Sequence, residues 1–151
     1  MPYTLLPTKL NIPQLRPELI PRPRLIKKLN AGVNGRLTLV SAPAGFGKTT
    51  LVTDWLNQLS RQHHSWKPEN CTWLSLDQND NEIVRFMQYL ISAIQVIHPQ
   101  LGSEILSTLE NSPRPNTQTI THDLLNEIMV KDQPLLIILD DYHEIQNDQI
   151  H

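Results

Sequence analysis

The sequence predicts an α/β fold with a mainly parallel sheet. Short aliphatic runs alternate with amphipathic helical patterns, and the most continuous apolar run, Leu135–Leu139, ends at two aspartates. A chain of 151 residues, 39% of them hydrophobic, is long enough for roughly one domain around one core. Strands separated by helices favour parallel pairing, because a crossover helix brings the next strand back in the same direction.

Composition excludes several classes of protein. Leu135–Leu139 has five residues, whereas a membrane helix needs about 20, and the first twenty residues are too rich in proline and charge for a signal peptide. The single cysteine, Cys71, excludes an internal disulfide framework and a four-cysteine zinc site. We therefore expect a cytoplasmic domain with no membrane partner.

The first half of the chain predicts an arm, a helix, a strand and a second helix. Six of the twelve prolines lie in residues 1–23, which predicts an extended arm. Arg24–Asn30 has helical spacing and is followed by two glycines, and Leu37–Val40 resembles a short buried strand. From Lys48 onward the apolar residues return to a helical period.

The second half predicts a strand, three helices and a last strand. His63–Asn70 is polar and loop-like. The regular elements that follow are a strand Cys71–Leu76, helices Glu82–His98, Ser103–Glu110 and Thr117–Val130, and a strand Leu135–Leu139 covered on both faces. Asp77 stands in a polar cluster before the first of these helices, where a helix cap is favoured over a place near a ligand.

Charge is distributed unevenly. Residues 1–36 carry seven basic residues and one acidic residue, while the rest of the chain has an excess of acidic residues. A basic arm can meet nucleic acid, an anionic ligand or its own chain. The arm has few aromatic residues, so nucleic-acid contact is the least favoured.

The strongest chemical signal lies between the first predicted strand and the helix that starts at Lys48. Residues 42–49 read APAGFGKT and match a phosphate-binding loop, with alanine where the first glycine is usual. Backbone N–H groups in such a loop point inward at phosphate oxygens, a lysine places its charge near the β- and γ-phosphates, and a threonine hydroxyl binds Mg²⁺. We assign phosphate binding to Ala42, Pro43, Ala44, Gly45, Phe46, Gly47, Lys48, Thr49 and Thr50.

A second signal is the acidic pair that follows the last strand. Asp140 and Asp141 stand where open α/β sheets place their ligands, at the carboxyl end of a strand. Asp140 could hold Mg²⁺, together with Thr49, and Asp141 could orient or deprotonate an attacking water. His63, His64 and His143 lack partners at metal-ligand spacing, and Cys71 is expected to be a buried apolar residue.

Four stretches carry a resemblance to a known family: Thr8–Leu10 with Arg22–Leu25, Leu37–Thr50, Trp73–Asp77 with Arg85–Phe86, and Leu139–His143. In these stretches the chain resembles the N-terminal part of MalT-like signal-transduction ATPases, large transcriptional regulators that often end in a LuxR-type DNA-binding domain. Alanine at position 42 is usual in that family.

The resemblance implies a P-loop NTPase-type three-layer fold that binds Mg-ATP as a switch ligand. It implies that Lys48 and Thr49 bind phosphate and Mg²⁺, that Asp140 positions Mg²⁺ and that Asp141 is the hydrolytic carboxylate. Ile20–Arg24 would border the adenine, which makes Arg22 a further nucleotide-binding residue. ATP and ADP are the implied ligands, and the rest of a regulator chain or a second copy is the implied partner.

Family members have several hundred residues, so the chain is expected to be a fragment. We expect a basic arm over residues 1–23 and an incomplete NTPase domain over residues 24–151, with about three strands. Later strands, lid, sensor motifs and DNA-binding domain would be absent, hydrolysis at most weak, and direct DNA contact is not expected. Alternatives are an inactive truncated product and a small P-loop phosphotransferase.

Overall fold

The structure is a computed structural model, and it describes residues 5–15, 17–62, 67–112 and 115–151. The helices and strands in these ranges are α1 (Pro23–Gly32), α2 (Lys48–Gln62), β1 (Cys71–Ser75), α3 (Ile83–Gln95), α4 (Ser103–Asn111), α5 (Thr117–Lys131) and β2 (Leu136–Asp140). The chain forms two compact units, residues 12–68 and residues 1–11 with 69–151. The α/β class and the parallel pairing expected from the sequence are confirmed.

The unit of residues 12–68 is built on α1 and α2. Each helix buries one apolar face, with Ile26 and Leu29 on α1 and Leu51 and Leu59 on α2. The two helices are also joined by a polar contact, because the indole Nε1 of the buried Trp55 donates to the side-chain oxygen of Asn30 at 2.8 Å. The two helices expected from periodicity in this region are therefore confirmed.

The strand expected at Leu37–Val40 is not formed, which corrects the count of three strands to two in the described residues. The segment has no regular structure, and Leu37 and Leu39 are 88% and 80% exposed. A strand of this length is stable only when a neighbour pairs with its backbone and covers its side chains. The described sheet contains only β1 and β2, so aliphatic composition alone does not make this segment a strand.

The unit of residues 1–11 with 69–151 contains the sheet. β1 and β2 pair in parallel, in a register that runs from Cys71 opposite Leu136 to Ser75 opposite Asp140. The main core includes Leu74 on β1, Tyr89 and Ile94 on α3, and Ile120 on α5, all of them buried. Cys71 is also buried, as expected, and burial raises the pKa of its thiol to about 11.

β2 differs from its expected environment. All five of its residues are half-buried, whereas the sequence predicts a strand covered on both faces. Within the described part of the chain β2 has one paired neighbour, β1, so less of its surface is covered. The carboxyl end of β2 is nevertheless fixed, since the Leu76 amide donates to the Asp140 carbonyl at 3.0 Å.

The polar cluster after β1 caps a turn and not the long helix directly. The carboxylate of Asp77 accepts from the Asn79 amide at 2.8 Å and caps a 3₁₀ turn, Gln78–Asn81, while Glu82 caps α3. Of the loop expected at His63–Asn70, residues 63–66, which include His63 and His64, lie outside the described residues. None of the described helices is both long enough and apolar enough to span a bilayer.

Candidate phosphate loop and acidic pair

The loop between residues 42 and 48 bends at two glycines with left-handed backbone. Gly45 has φ +80° and Gly47 has φ +74°, values that side-chain-bearing residues rarely adopt. α2 begins immediately afterwards at Lys48, and its first intrahelical bond runs from the Leu51 amide to the Gly47 carbonyl at 2.9 Å. The loop therefore leads straight into a helix N-terminus, the end of a helix that favours bound anions.

Two cationic side chains lie at this loop. The Lys48 ammonium donates to the carbonyl of Ala42 at 2.8 Å and to that of Pro43 at 3.3 Å. A guanidinium nitrogen of Arg22 donates to the Phe46 carbonyl at 2.9 Å. A methyl group added at Gly47 would approach this guanidinium to 3.5 Å. That distance is an ordinary van der Waals contact, so the left-handed backbone at Gly47, and not the space beside Arg22, is what favours glycine.

The donor set of the loop fits a polyphosphate. A helix N-terminus, an ammonium and a guanidinium all favour negative charge, and planar guanidinium groups bind phosphate oxygens in pairs. Ala42, Pro43, Ala44, Gly45 and Phe46 are exposed, whereas Gly47, Lys48, Thr49 and Thr50 are half-buried. The carbonyl of Thr49 accepts from the Thr53 hydroxyl at 2.8 Å, and a threonine hydroxyl is an oxygen ligand of the kind that suits Mg²⁺.

The acidic pair lies in the other unit, at the end of β2. Asp140 is the last residue of the strand, and one of its carboxylate oxygens accepts from the Asp141 amide at 3.1 Å. Asp141 has left-handed backbone, with φ +55° and ψ +33°, and about half of its side chain is exposed. Its carboxylate is 3.9 Å from the His143 ring, whose other nitrogen is 3.3 Å from Glu144.

In the described residues no three histidine, cysteine, aspartate or glutamate side chains form a group that could hold a metal ion. Mg²⁺ does not require such a group, because it keeps several waters and is held by one or two protein oxygens and by substrate phosphates. The carboxylate of Asp140 and the hydroxyl of Thr49 belong to this class of ligand. Both residue types therefore fit magnesium, each in its own unit.

A buried charged cluster that the sequence did not reveal lies beside β1. Lys9 forms ion pairs with Asp77, at 2.7 Å, and with the fully buried Asp80, which is also 3.1 Å from the Arg85 guanidinium. The Lys9 ammonium lies 4.7 Å from the centre of the Tyr89 ring. The sequence left nucleic acid, an anionic ligand and the chain itself open as partners of the basic arm. For Lys9 the observed partner is the chain itself.

These charges affect one another's titration. The hydrogen bond from Lys9 is the main cause that lowers the pKa of Asp77 below its usual value. Burial opposes the charge on Lys9, but hydrogen bonds and attraction from Asp77 and Asp80 outweigh it and raise the pKa of Lys9. Lys9 and Asp77 therefore both keep their charges over a wider pH range than the isolated side chains would. The two aspartates at positions 77 and 80 were a signal for this cluster in the sequence, but their partner Lys9 lies about 70 residues away.

Comparison with known proteins agrees with the resemblance noted from the sequence. Residues 23–151 match the model of the AAA ATPase domain. The chain is 38% identical over 147 residues to the HTH-type transcriptional regulator MalT of Yersinia pestis (strain Pestoides F) and to that of Yersinia pseudotuberculosis serotype O:1b (strain IP 31758). It is 36% identical over 147 residues to the HTH-type transcriptional regulator MalT of Yersinia enterocolitica serotype O:8 / biotype 1B (strain NCTC 13174 / 8081). Each alignment covers 97% of this chain and 15% of the relative, so the chain spans about 15% of the length of these relatives.

Proposed function

Because the chain belongs to the AAA ATPase domain family, we propose that it binds ATP with Mg²⁺ as the nucleotide-binding module of a MalT-like regulator. The observation that carries this proposal is the glycine-bent loop, which has a helix N-terminus behind it and the side chains of Lys48 and Arg22 beside it. All three features favour the same kind of ligand, a chain of phosphates.

Each residue of the loop and of the acidic pair has a proposed role. The loop of residues 42–50 surrounds the phosphates, its backbone N–H groups from Ala44 onward and the Lys48 ammonium bind them, and Arg22 adds a second positive charge. The Thr49 hydroxyl and the Asp140 carboxylate bind Mg²⁺, and Asp141 orients the attacking water. The assignment of Thr49 and Asp140 to one magnesium ion rests on the sequence motifs.

We assign to bound ATP the role of a switch. A switch ligand acts by binding one conformation better than another, and hydrolysis then resets the equilibrium. Slow hydrolysis suits this role, because the ATP-bound conformation must last long enough for a partner to bind it. The partner is the remainder of a regulator chain or a second copy, and no DNA contact is assigned to these residues.

The proposal is tested by thermal unfolding of the 151-residue chain with and without Mg-ATP. Binding to the folded state adds about 2.7 kcal/mol of stability at a ligand concentration of 100 times Kd, so the melting temperature must rise. We expect Lys48→Ala to lose most of this rise, because it removes the charge that meets the phosphates. Lys131→Ala is the matched control, since Lys131 is an exposed lysine at the end of α5.

Two results would contradict the proposal. The first is a wild-type melting temperature that Mg-ATP does not change at millimolar concentration. The second is an equal rise in wild type and in Lys48→Ala, which would place any bound nucleotide away from the loop. A rise in wild type and Lys131→Ala together with its loss in Lys48→Ala supports the proposal.

A further inference from the structure

Asn81, at the end of the turn after β1, binds the segment that follows the acidic pair. Its side-chain oxygen accepts from the amides of Gln146, at 2.5 Å, and Asn147, at 3.1 Å. Its side-chain nitrogen donates to the Glu144 carbonyl at 2.7 Å, and the Asn147 side chain donates back to the Asn81 carbonyl at 2.8 Å. One asparagine therefore makes four contacts with residues more than 60 positions later.

The segment held by Asn81 is hydrogen-bonded to the backbone of Asp141. Asp141 is left-handed, a conformation in which side-chain-bearing residues are strained and which persists only when the surroundings fix it. The carbonyl of Asp141 accepts from the Glu144 amide at 2.9 Å, and that of Tyr142 accepts from the Ile145 amide at 3.1 Å. These bonds form a 3₁₀ turn, Tyr142–Glu144. The carbonyl of Glu144, the last residue of that turn, accepts the hydrogen bond from the Asn81 side chain.

The turn that carries Asn81 is itself fixed. Asp80, the preceding residue, is fully buried, is paired with Lys9 and Arg85, and accepts from the Asp77 amide at 2.9 Å. On the other side of the contact, Ile145 is buried in the core of the same unit. A side chain can position another group only when its own base is rigid, and Asn81 meets that condition.

We propose that Asn81 is a positioning residue, which holds the turn after β2 so that Asp141 keeps its left-handed backbone and its amide stays bonded to the carboxylate of Asp140, the proposed Mg²⁺ ligand. The inference deepens the proposed function, because it rests on the role of Asp140 and Asp141 at Mg-ATP. Residues that orient a metal-binding carboxylate change metal affinity without touching the metal.

The first test needs no ligand. Amide hydrogen exchange is measured on the full 151-residue chain for wild type and Asn81→Ala. Removing the side-chain contacts is expected to accelerate exchange over residues 141–147 by at least about tenfold. Gln78→Ala is the matched control, since Gln78 is an exposed residue of the same turn whose carbonyl, and not its side chain, is hydrogen-bonded. Unchanged exchange in Asn81→Ala overturns the proposal.

The second test separates a positioning role from a merely structural one. ATP affinity is measured with and without Mg²⁺, and the ratio of the two gives the benefit of the metal. Asn81→Ala should reduce this benefit by at least about tenfold, while the affinity for metal-free ATP stays within a factor of about two. Asn81→Asp keeps an oxygen acceptor for the two amides and should recover part of the benefit.

The outcomes distinguish the two proposals. A full magnesium benefit in Asn81→Ala, despite faster exchange, overturns the positioning role and leaves ATP binding intact. Equal weakening of metal-free and magnesium-bound ATP also overturns it, since that pattern indicates general loss of structure. A wild-type chain that binds no ATP under either condition overturns the proposed function, and the role of Asn81 at Mg-ATP fails with it.

Discussion

At the residue scale, the most informative side chain outside the phosphate loop is Lys9. A lysine that is 8% exposed is uncommon, and burial of an ammonium is tolerated only with paired charges. Asp77 and Asp80 supply these charges, and the π face of the Tyr89 ring also attracts the Lys9 ammonium. The Tyr89 hydroxyl also accepts from the Leu6 amide at 3.1 Å, so the N-terminal segment is held at two points.

Replacing this lysine should destabilise the chain in a pH-dependent way. Lys9→Met leaves Asp80 with Arg85 as its remaining cationic partner, and we expect a loss of about 3 kcal/mol in the free energy of unfolding at neutral pH. Lys27→Met, at an exposed lysine of α1, is the control and should change stability by less than about 0.5 kcal/mol. The measurement is urea denaturation.

The pH profile of the difference between wild type and Lys9→Met tests the cause. Asp77 has a lowered pKa, so its contribution is present above the ordinary carboxyl value and is lost as the pH falls through the folded value. Lys9 has a raised pKa, so its contribution is present below the ordinary lysine value and is lost as the pH rises through the folded value. The difference should therefore be largest near neutrality and shrink toward both extremes. A difference that is constant from about pH 3 to about pH 11 would attribute the loss to packing alone.

At the element scale, periodicity predicted the helices because it reports burial of one face within a single segment. The apolar residues of α3 recur at helical spacing, and Phe86, Met87 and Ile94 are buried as that spacing requires. Strands depend on a neighbour that is distant in sequence. Leu37–Val40 and the segment that forms β2 are both mainly aliphatic, but β2 pairs with β1, whereas Leu37–Val40 remains unpaired in the described sheet.

In the candidate site too, features set by neighbouring residues could be predicted, whereas those set by distant contacts could not. The loop of residues 42–50 was predictable because the residues that give it its chemistry are consecutive. The position of Asp140 at a strand end was predictable for the same reason. Asn81 and Lys9 could not be predicted, since their roles depend on contacts across more than 60 residues. A single asparagine or lysine in a sequence carries no mark of such a partner.

The contact between α1 and α2 offers a test at this scale. Asn30→Ala removes the oxygen that accepts the hydrogen bond from the Trp55 indole. Because Trp55 is only 5% exposed, its indole N–H would lose that bond in a nearly buried position. We expect a loss of about 1–3 kcal/mol, measured by urea denaturation with amide exchange resolved to α1 and α2. Asn34→Ala, at an exposed position just after α1, should have little effect on either helix. Equal losses in the two variants would contradict the importance of the indole contact.

At the scale of the whole molecule, apolar surface is exposed where the expected strand is not formed. Leu37 and Leu39 alternate with Thr38 in a segment without regular structure, and both leucines are more than three-quarters exposed. An aliphatic segment that pairs with no strand of the described sheet can pair with the same segment of another copy. The phosphate loop begins three residues after Leu39. Pairing at this segment would therefore involve the chain immediately before the loop.

We therefore expect the 151-residue chain to self-associate as its concentration rises. The double variant Leu37→Thr, Leu39→Thr keeps residues that favour extended backbone but removes most of the apolar surface, so it should remain nearer the monomer mass of 17.4 kDa. Light scattering coupled to size-exclusion chromatography provides the measurement. Val96→Thr is the control, because Val96 is 61% exposed at the end of α3 and lies outside any extended segment. If Val96→Thr reduces association as much as the double variant does, exposed apolar area in general, and not the segment before the loop, drives the association.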